Sequence, residues 1–540
     1  MKSKLLKKSV VLLLLISMIF SMTSCGKTTK TTVDEATVNE TAETAAQNNG
    51  AASTDGAAGD EVVELDLHIN ESWWPVNTFT GIIPEEITKK TGVKFNVDVA
   101  SDSSQLGVMI ASGELPDLVL SSSELDRLSN SSLTYSFPEL EEKYGFKIPG
   151  NEDQISIAKS ISSDDDYYTL INWYDTKEQW NGLKIGAPGQ TAIFYRKDLM
   201  DAAGISVPTT LTEFKECLEK VKEAYPNMTP YGLGGVWKFQ PFMTQYGMMD
   251  NHWYDGNTYN YSSISPQYKS YLQFCNSLYR RGFVTAEDFA NENEADGHQK
   301  AYNNGAVFYC WYLTVGNLNQ LQSETKKITE KAEWAVLSPL KDDNGAMHPA
   351  YSTGKGWAGT FVSRTCKNPE AAAKVLSFLY SEEGQKLTLW GREGIDYTEV
   401  DGVPQFSEEW LSTRTDSAKM NEKYNPWFYL GTRQTISLLA DFSGIDDSIV
   451  SQFTPYGSDF KSYPEVGIAL PTSATEEGII LTKLDETKKN MEGKIIFSDS
   501  DEAFESSYLE LMEALDKIGA EKYNSYMNEK IKEVKEKYGF

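Results

Sequence analysis

From Ser9 to Phe20 nearly every residue is apolar, and Lys2, Lys4, Lys7 and Lys8 stand in front of the run. A basic start, a short hydrophobic core and then Met22-Thr23-Ser24-Cys25 form the layout of a secretory signal peptide. The core is short of the roughly 20 apolar residues that span a bilayer comfortably. Residues 1–24 are therefore expected to be a signal segment, and the fold must come from the chain beyond it.

Cys25 directly after Thr23-Ser24 resembles the lipobox of bacterial lipoproteins. That resemblance implies a lipidated Cys25 (palmitate among its chains) as the mature N-terminus, on the extracytoplasmic face of the cell membrane. An ordinary signal peptide with a chance Cys is the alternative. Gly26 to Asp60 is rich in Thr, Ala, Asn and Gly, too poor in large apolar residues to offset the entropy of ordering. Residues 25–60 read as a tether, about 30 Å long as a coil and on the order of 110 Å when taut.

About 480 residues remain beyond Asp60, more than one core usually serves, so two lobes are expected. The net charge of −28 argues against binding a phosphate backbone, which needs a basic face. It also disfavours anionic sugars such as uronates, although a local basic pocket would escape the average. Beyond Cys25, Cys217, Cys275, Cys310 and Cys366 show no C-x-x-C spacing and allow three pairings. Cys217 and Cys275 fall on helical apolar stripes, so buried free thiols are expected.

Val63 to Ile69 alternates as a strand, Thr80 to Thr91 reads as a helix stopped by Gly92, and Val93 to Val99 reads as a second strand. This alternation signals an α/β lobe with a mainly parallel sheet. Gln105 to Ser112 is helical, with Gly113 suited to a left-handed C′ position, and Leu118-Val119-Leu120 is a third strand. Ligands sit at the carboxyl ends of strands in open parallel sheets, which makes Ser121-Ser122-Ser123 candidates for contact.

Ala111-Ser112-Gly113-Glu114-Leu115-Pro116-Asp117 resembles the "ASG-x-x-PD" segment of the solute-binding proteins of bacterial ABC importers. Tyr195-Arg196-Lys197-Asp198-Leu199, Gly204 and Val207-Pro208-Thr209-Thr210 are similar to that family's crossover between lobes. Asn304-Gly305-Ala306 through Trp311 resembles its "NG-x-A" turn, and Trp334 to Leu340 its return strand. Gly356-Trp357 and the helix from Pro369 to Tyr380 look like the re-entry into the first lobe, and Trp390 to Thr398 fits the oligosaccharide-type branch. The order of these motifs over some three hundred residues carries the resemblance.

The resemblance implies an α/β, two-lobed periplasmic-binding-protein-like fold with crossover strands and a central cleft. Lobe one would comprise 61–195 and 346–392, lobe two 196–345 and 393–540. The function implied is capture of a carbohydrate, an oligosaccharide by its aromatic content, and delivery to membrane permease subunits by lobe closure. The partners would be the oligosaccharide, the permease and the membrane through the anchor, with a monomeric receptor and no nucleic acid.

Site candidates come from aromatic and polar residues. A flat ring covers the C–H face of a pyranose while polar groups pair with its hydroxyls, and rigid rings lose little rotamer entropy. Loop-like contexts hold Trp73, Trp74, Trp173, Trp180, Trp237, Trp253, Trp311, Trp357, Trp390 and Trp427. By the resemblance, Trp74, Trp237, Trp311 and Trp357 face the cleft, with Tyr312 beside Trp311. The other reading of each is core packing. Ser121, Asp117 and Glu393 join the ligand-binding set, and Tyr195 and Arg196 stand as hinge or site candidates, with turn and surface roles as the alternative.

No H-E-x-x-H, G-x-S-x-G or P-loop occurs, and His68, His252, His298 and His348 show no ligand spacing. Asp342-Asp343-Asn344-Gly345 lacks the spaced ligands of a calcium loop and reads as a turn. No catalytic residue, metal or cofactor is expected. Glu408-Glu409 and Glu476-Glu477 are pairs that 78 acidic residues produce by chance. A surface carbohydrate-active enzyme and a sensory receptor of the same fold stay open as alternatives.

Overall fold

A computed structural model describes residues 62–539 except 103, 177–189, 236–237, 292, 343, 349–350, 353–355 and 458–460. Cys25, the signal segment and the tether lie outside the described residues, as do Trp180 and Trp237. Eight strands organise the fold: β1 (Val63–Ile69), β2 (Val93–Val99), β3 (Leu118–Ser121), β4 (Thr191–Arg196), β5 (Thr229–Gly232), β6 (Ala306–Tyr312), β7 (Trp334–Val336) and β8 (Gly359–Val362).

They form two four-stranded sheets. The first has the order β8-β3-β1-β2, with β1 parallel to both β2 and β3, and β8 antiparallel to β3. The second has the order β7-β4-β6-β5, where only β5 and β6 run parallel. The chain thus passes from the first sheet to the second before β4 and returns before β8. The fold is of the mixed α/β class with two lobes.

Local chemistry sets the element ends. The helix Ile82–Thr91 stops at Gly92, whose φ of 71° is left-handed and whose N–H reaches Thr88 O. Gly113 does the same for Gln105–Ser112 at φ 72°. Thr210 caps Leu211–Ala224 by accepting from Glu213 N–H. Asp342 Oδ1 accepts from Asn344 and Ala346 N–H, the turn expected there.

Leu65, Leu67 and Ile69 of β1 pack on Ile83, Phe95, Val375 and Leu376 to form the first core. A larger core runs from Val119 through Ile193 and Phe308 to Leu511, Leu515 and Tyr523 of the helices Asp501–Ile518 and Ala520–Tyr538. The C-terminal helix therefore docks through its apolar stripe. Asn524 and Asn528 Oδ1 accept from Tyr261 and Tyr259 N–H, covering the edge of the strand Tyr259–Tyr261. Cys217, Cys275, Cys310 and Cys366 are buried and unpaired, as expected. Burial pushes the Cys217 and Cys366 thiols up to about 12.

Two lobe boundaries differ from expectation. β4 lies wholly in the second sheet, so its first five residues do not belong to lobe one. Residues 397–430, expected in lobe two, supply Trp410, Tyr424, Phe428 and Leu430 to the core of the first sheet. Phe428 packs edge-on against Phe79 at 4.6 Å, and Trp410 against Tyr424 at the same distance. These rings had to be buried somewhere, and nothing in their spacing says against which sheet.

Candidate functional site

The carboxyl ends of β1 and β3 point to the same edge of the first sheet, and β8, running the other way, begins there: Gly359 pairs with Ser121. The segments leaving or entering at that edge carry Trp73, Trp74 and Trp357. A loop after Tyr424 adds Trp427 and Tyr429. Trp74 and Trp357 stack at 6.4 Å and 11°, and Trp73 lies 5.6 Å from each. Trp427 and Tyr429 sit 5.4 and 5.2 Å from Trp74. Trp74 is the buried keystone at 5% exposure, while Trp73 presents 53% of its surface to solvent.

Polar side chains hold this platform in place. Asn172 N–H donates to Ala358 O, its Oδ1 accepts from Ala358 N–H at 2.9 Å, and its carbonyl accepts from Trp357 N–H at 2.9 Å. Gly356 fits beside it at φ 79°, where a Cβ would meet Asn172 O at 2.5 Å. Only glycine tolerates that approach. Asn425 Nδ2 donates to Thr78 and Thr80 carbonyls, fastening the Trp427 loop to the segment after β1. Trp427 Nε1 donates to Asn421 Oδ1 at 2.7 Å. Trp173 closes one side, edge-on to Tyr429 at 5.2 Å, with its N–H bonded to Thr432 O.

Glu71 links the platform to the adjoining groove. Its Oε1 accepts from Ser122 N–H at 3.0 Å and from the Ser122 hydroxyl at 2.5 Å, and its Oε2 accepts from Trp73 Nε1 at 3.0 Å. Burial, then the Glu71 charge and the Tyr312 phenol, hold the Tyr429 phenol well above its usual range. Ser122 also lines a cavity of about 230 Å³, shared by Glu124, Asp126 and Ser160 on one wall and Thr472, Ser473 and Thr482 on the other. Asp126 Oδ2 spans the walls, accepting from Ser473 N–H at 2.8 Å and from its hydroxyl. Below the platform, Asp175 accepts from Thr435 N–H at 2.5 Å and from its hydroxyl at 2.9 Å. Burial pushes its carboxyl up to about 6.

Of the expected site residues, the structure brings Trp74 and Trp357 together and sets Tyr312, half-buried at the end of β6, within electrostatic reach of Tyr429. Five are placed otherwise. Ser121 is fully buried, and its hydroxyl donates to Ser123 O, so the exposed serines at the strand end are Ser122 and Ser123. Asp117 is 2% exposed and serves the backbone: one oxygen takes Asp66 N–H, the other Lys367 N–H. Trp311 is a core residue, its ring 4.0 Å from His298 and packed in the cluster of Phe194 and Leu321. Glu393 is exposed in the turn after Glu382–Trp390, beside the Arg392–Asp396 ion pair. Arg196, buried at 1%, is a structural cation paired with Asp198.

Glu71 and Tyr429 were not singled out as ligand contacts, Ser122 was a candidate only within the run Ser121-Ser122-Ser123, and Trp73, Trp173 and Trp427 were noted only as loop aromatics. The adjacency of Trp73 and Trp74 and the run Trp427-Phe428-Tyr429 were the available signals.

Two sheets bridged by crossing segments, with a ring-floored site at the strand ends, define a two-lobed α/β binding-protein architecture. Residues 73–386 match the family described as bacterial extracellular solute-binding protein, and the chain belongs to that family. Lipoprotein LipO of Bacillus subtilis (strain 168) is 24% identical over 340 residues, 59% of this chain. The chain spans 64% of the length of that curated relative.

Among solved structures, alginate-binding protein AlgQ2 without calcium ion superposes with a TM-score of 0.63 at 17% identity, covering 88% of this chain and 98% of that one. The Streptococcus pneumoniae ABC-transporter substrate binding protein FusA in complex with kestose gives 0.60 at 16%, covering 88% and 100%. The N-glycan transport solute binding protein NgtS of the same organism gives 0.56 at 15%, covering 87% and 98%. These likenesses concern the fold.

Proposed function

We propose that this chain is the substrate receptor of an ABC importer that captures an oligosaccharide on the tryptophan platform and hands it to membrane permease subunits. The observation that carries the reading is the platform itself: stacked rings at strand ends, one of them half in solvent, beside a polar groove. Rings of this kind cover the C–H faces of sugars, and the serine, threonine and carboxylate groups of the groove suit their hydroxyls. Neighbours named for N-glycan transport and kestose support the ligand class.

Lobe closure on the ligand would present the loaded form, driven only by the ligand's extra affinity for the closed state. Cys25 and the segment to Asp60 would tether a monomeric receptor to the extracytoplasmic face. The relative named as a lipoprotein supports this. In the described residues no helix is long and apolar enough to cross a membrane.

Calorimetry of the intact chain in detergent against a panel of plant and host oligosaccharides tests the reading. One-to-one binding with the ligand recovered intact is the expected result. Cleaved ligand would make the protein an enzyme, and no binding across the panel would remove the sugar assignment.

A further inference from the structure

Glu71 is 8% exposed, yet its three hydrogen-bond partners are all neutral: Ser122 N–H, the Ser122 hydroxyl and Trp73 Nε1. A backbone amide and an indole only donate, which complements an acceptor-only carboxylate. Among the described residues no Lys or Arg forms an ion pair with it. Trp73 is the exposed ring of the platform, and its nitrogen is 3.0 Å from Glu71 Oε2.

Resting on the sugar reading above, we propose that Glu71 is a specificity determinant that admits uncharged glycans to the platform and turns uronic acid chains away. A pyranose lying on Trp73 stands within a few ångströms of a carboxylate that no cation among the described residues pairs. There a ligand carboxylate meets like charge at short range, where Coulomb repulsion is strongest. A sugar hydroxyl meets the opposite: a carboxylate offers about four lone-pair sites and three are taken, which leaves one acceptor position.

The carboxylates along the groove are engaged differently. Glu124 holds Arg127 at 2.8 Å, so that cation is already paired, and Asp126 takes the Ser473 donors. The Glu71 charge is also felt at Tyr429, whose ring touches Trp74 and Trp427. The overall charge of −28 disfavours anionic ligands on average, and Glu71 gives the same sign a local address. A fold shared with an alginate-binding protein therefore does not bring its ligand class along.

The test pairs probes of one linkage that differ only at C6, hydroxymethyl against carboxylate: β-1,4-mannotetraose with β-1,4-tetramannuronate, and α-1,4-galactotetraose with α-1,4-tetragalacturonate, on the intact chain in detergent. The wild type is expected to prefer a neutral member by at least ~30-fold. Glu71→Gln should shrink that ratio below about 3-fold, while Glu71→Asp, which keeps the charge, should retain most of it. Equal or tighter binding of the uronate by the wild type overturns the proposal, as does an unchanged ratio in Glu71→Gln.

If no sugar binds, the sugar reading fails and a ligand-free measurement still decides the role of Glu71. Trp73 emission, taken as the difference from Trp73→Phe, is quenched with iodide and with acrylamide. Glu71→Gln should raise the iodide constant about 2-fold and leave the acrylamide constant alone. An iodide constant that does not move overturns the charge barrier.

Discussion

Trp73 and Trp311 both stand at a strand end, yet they are opposite kinds of residue. Trp73 follows β1 on a loop, is half exposed, and is fixed by a hydrogen bond from its indole to Glu71. Trp311 lies in β6, whose residues are buried up to Cys310 and Trp311 alike, and it packs on the His298 ring. Burial also lowers that histidine to about 4, the mark of an apolar surround. Trp73, with about half its surface open at a sheet edge, is available to a ligand; Trp311, covered by its neighbours, is structural.

The contrast is sharpest in stability. Trp311→Ala should cost about 3–5 kcal/mol, read as a large fall in the denaturation midpoint, because a buried indole leaves a cavity. A cost below about 1 kcal/mol would put Trp311 in the cleft after all.

Asp175 gives the next effect. Its folded pKa of about 6 lies above the 3.8 of the free side chain, so the fold favours its protonated form. Its contribution is full below about pH 4 and is lost as pH rises through 6, at most about 3 kcal/mol. Asp175→Asn should flatten the dependence of melting temperature on pH between 4 and 6, and an unaltered profile would refute the assignment.

Trp73→Ala should behave in reverse of Trp311→Ala. Stability should move by less than about 1 kcal/mol, while sugar affinity falls about 10- to 30-fold by calorimetry. The smallest effect belongs to Asp126→Ala, which removes the partly exposed bridge to Ser473 and should cost under about 1 kcal/mol, with a faster ligand off-rate.

The comparison also explains what could be read in advance. β1, β2 and their connecting helix are written in local alternation and in Gly92, and the helix after β2 in Gly113; the left-handed backbones of both glycines are close to obligatory there. Trp74 and Trp357 were set at the cleft by the family resemblance, their loop-like contexts being shared with eight other tryptophans. Trp311 misled because the run Ala306–Tyr312 lacks polar alternation, the signature of a strand covered on both faces, and the resemblance outweighed it. Asp117 misled for another reason. Which backbone N–H groups consume a carboxylate depends on Asp66 and Lys367 arriving from opposite ends of the lobe. Glu71 was hidden likewise, since its Ser122 partner comes from a strand end about fifty residues away.

The platform draws on residues 71–74, 172–173, 356–357 and 425–429, fastened by Asn172 and Asn425 across more than three hundred residues of chain. A chain made N-terminus first thus has no assembled platform until its first 430 residues have been made. The segment that carries Trp73 must wait for a late loop to hold it, so an assembled platform is itself a report that folding of the first lobe is complete.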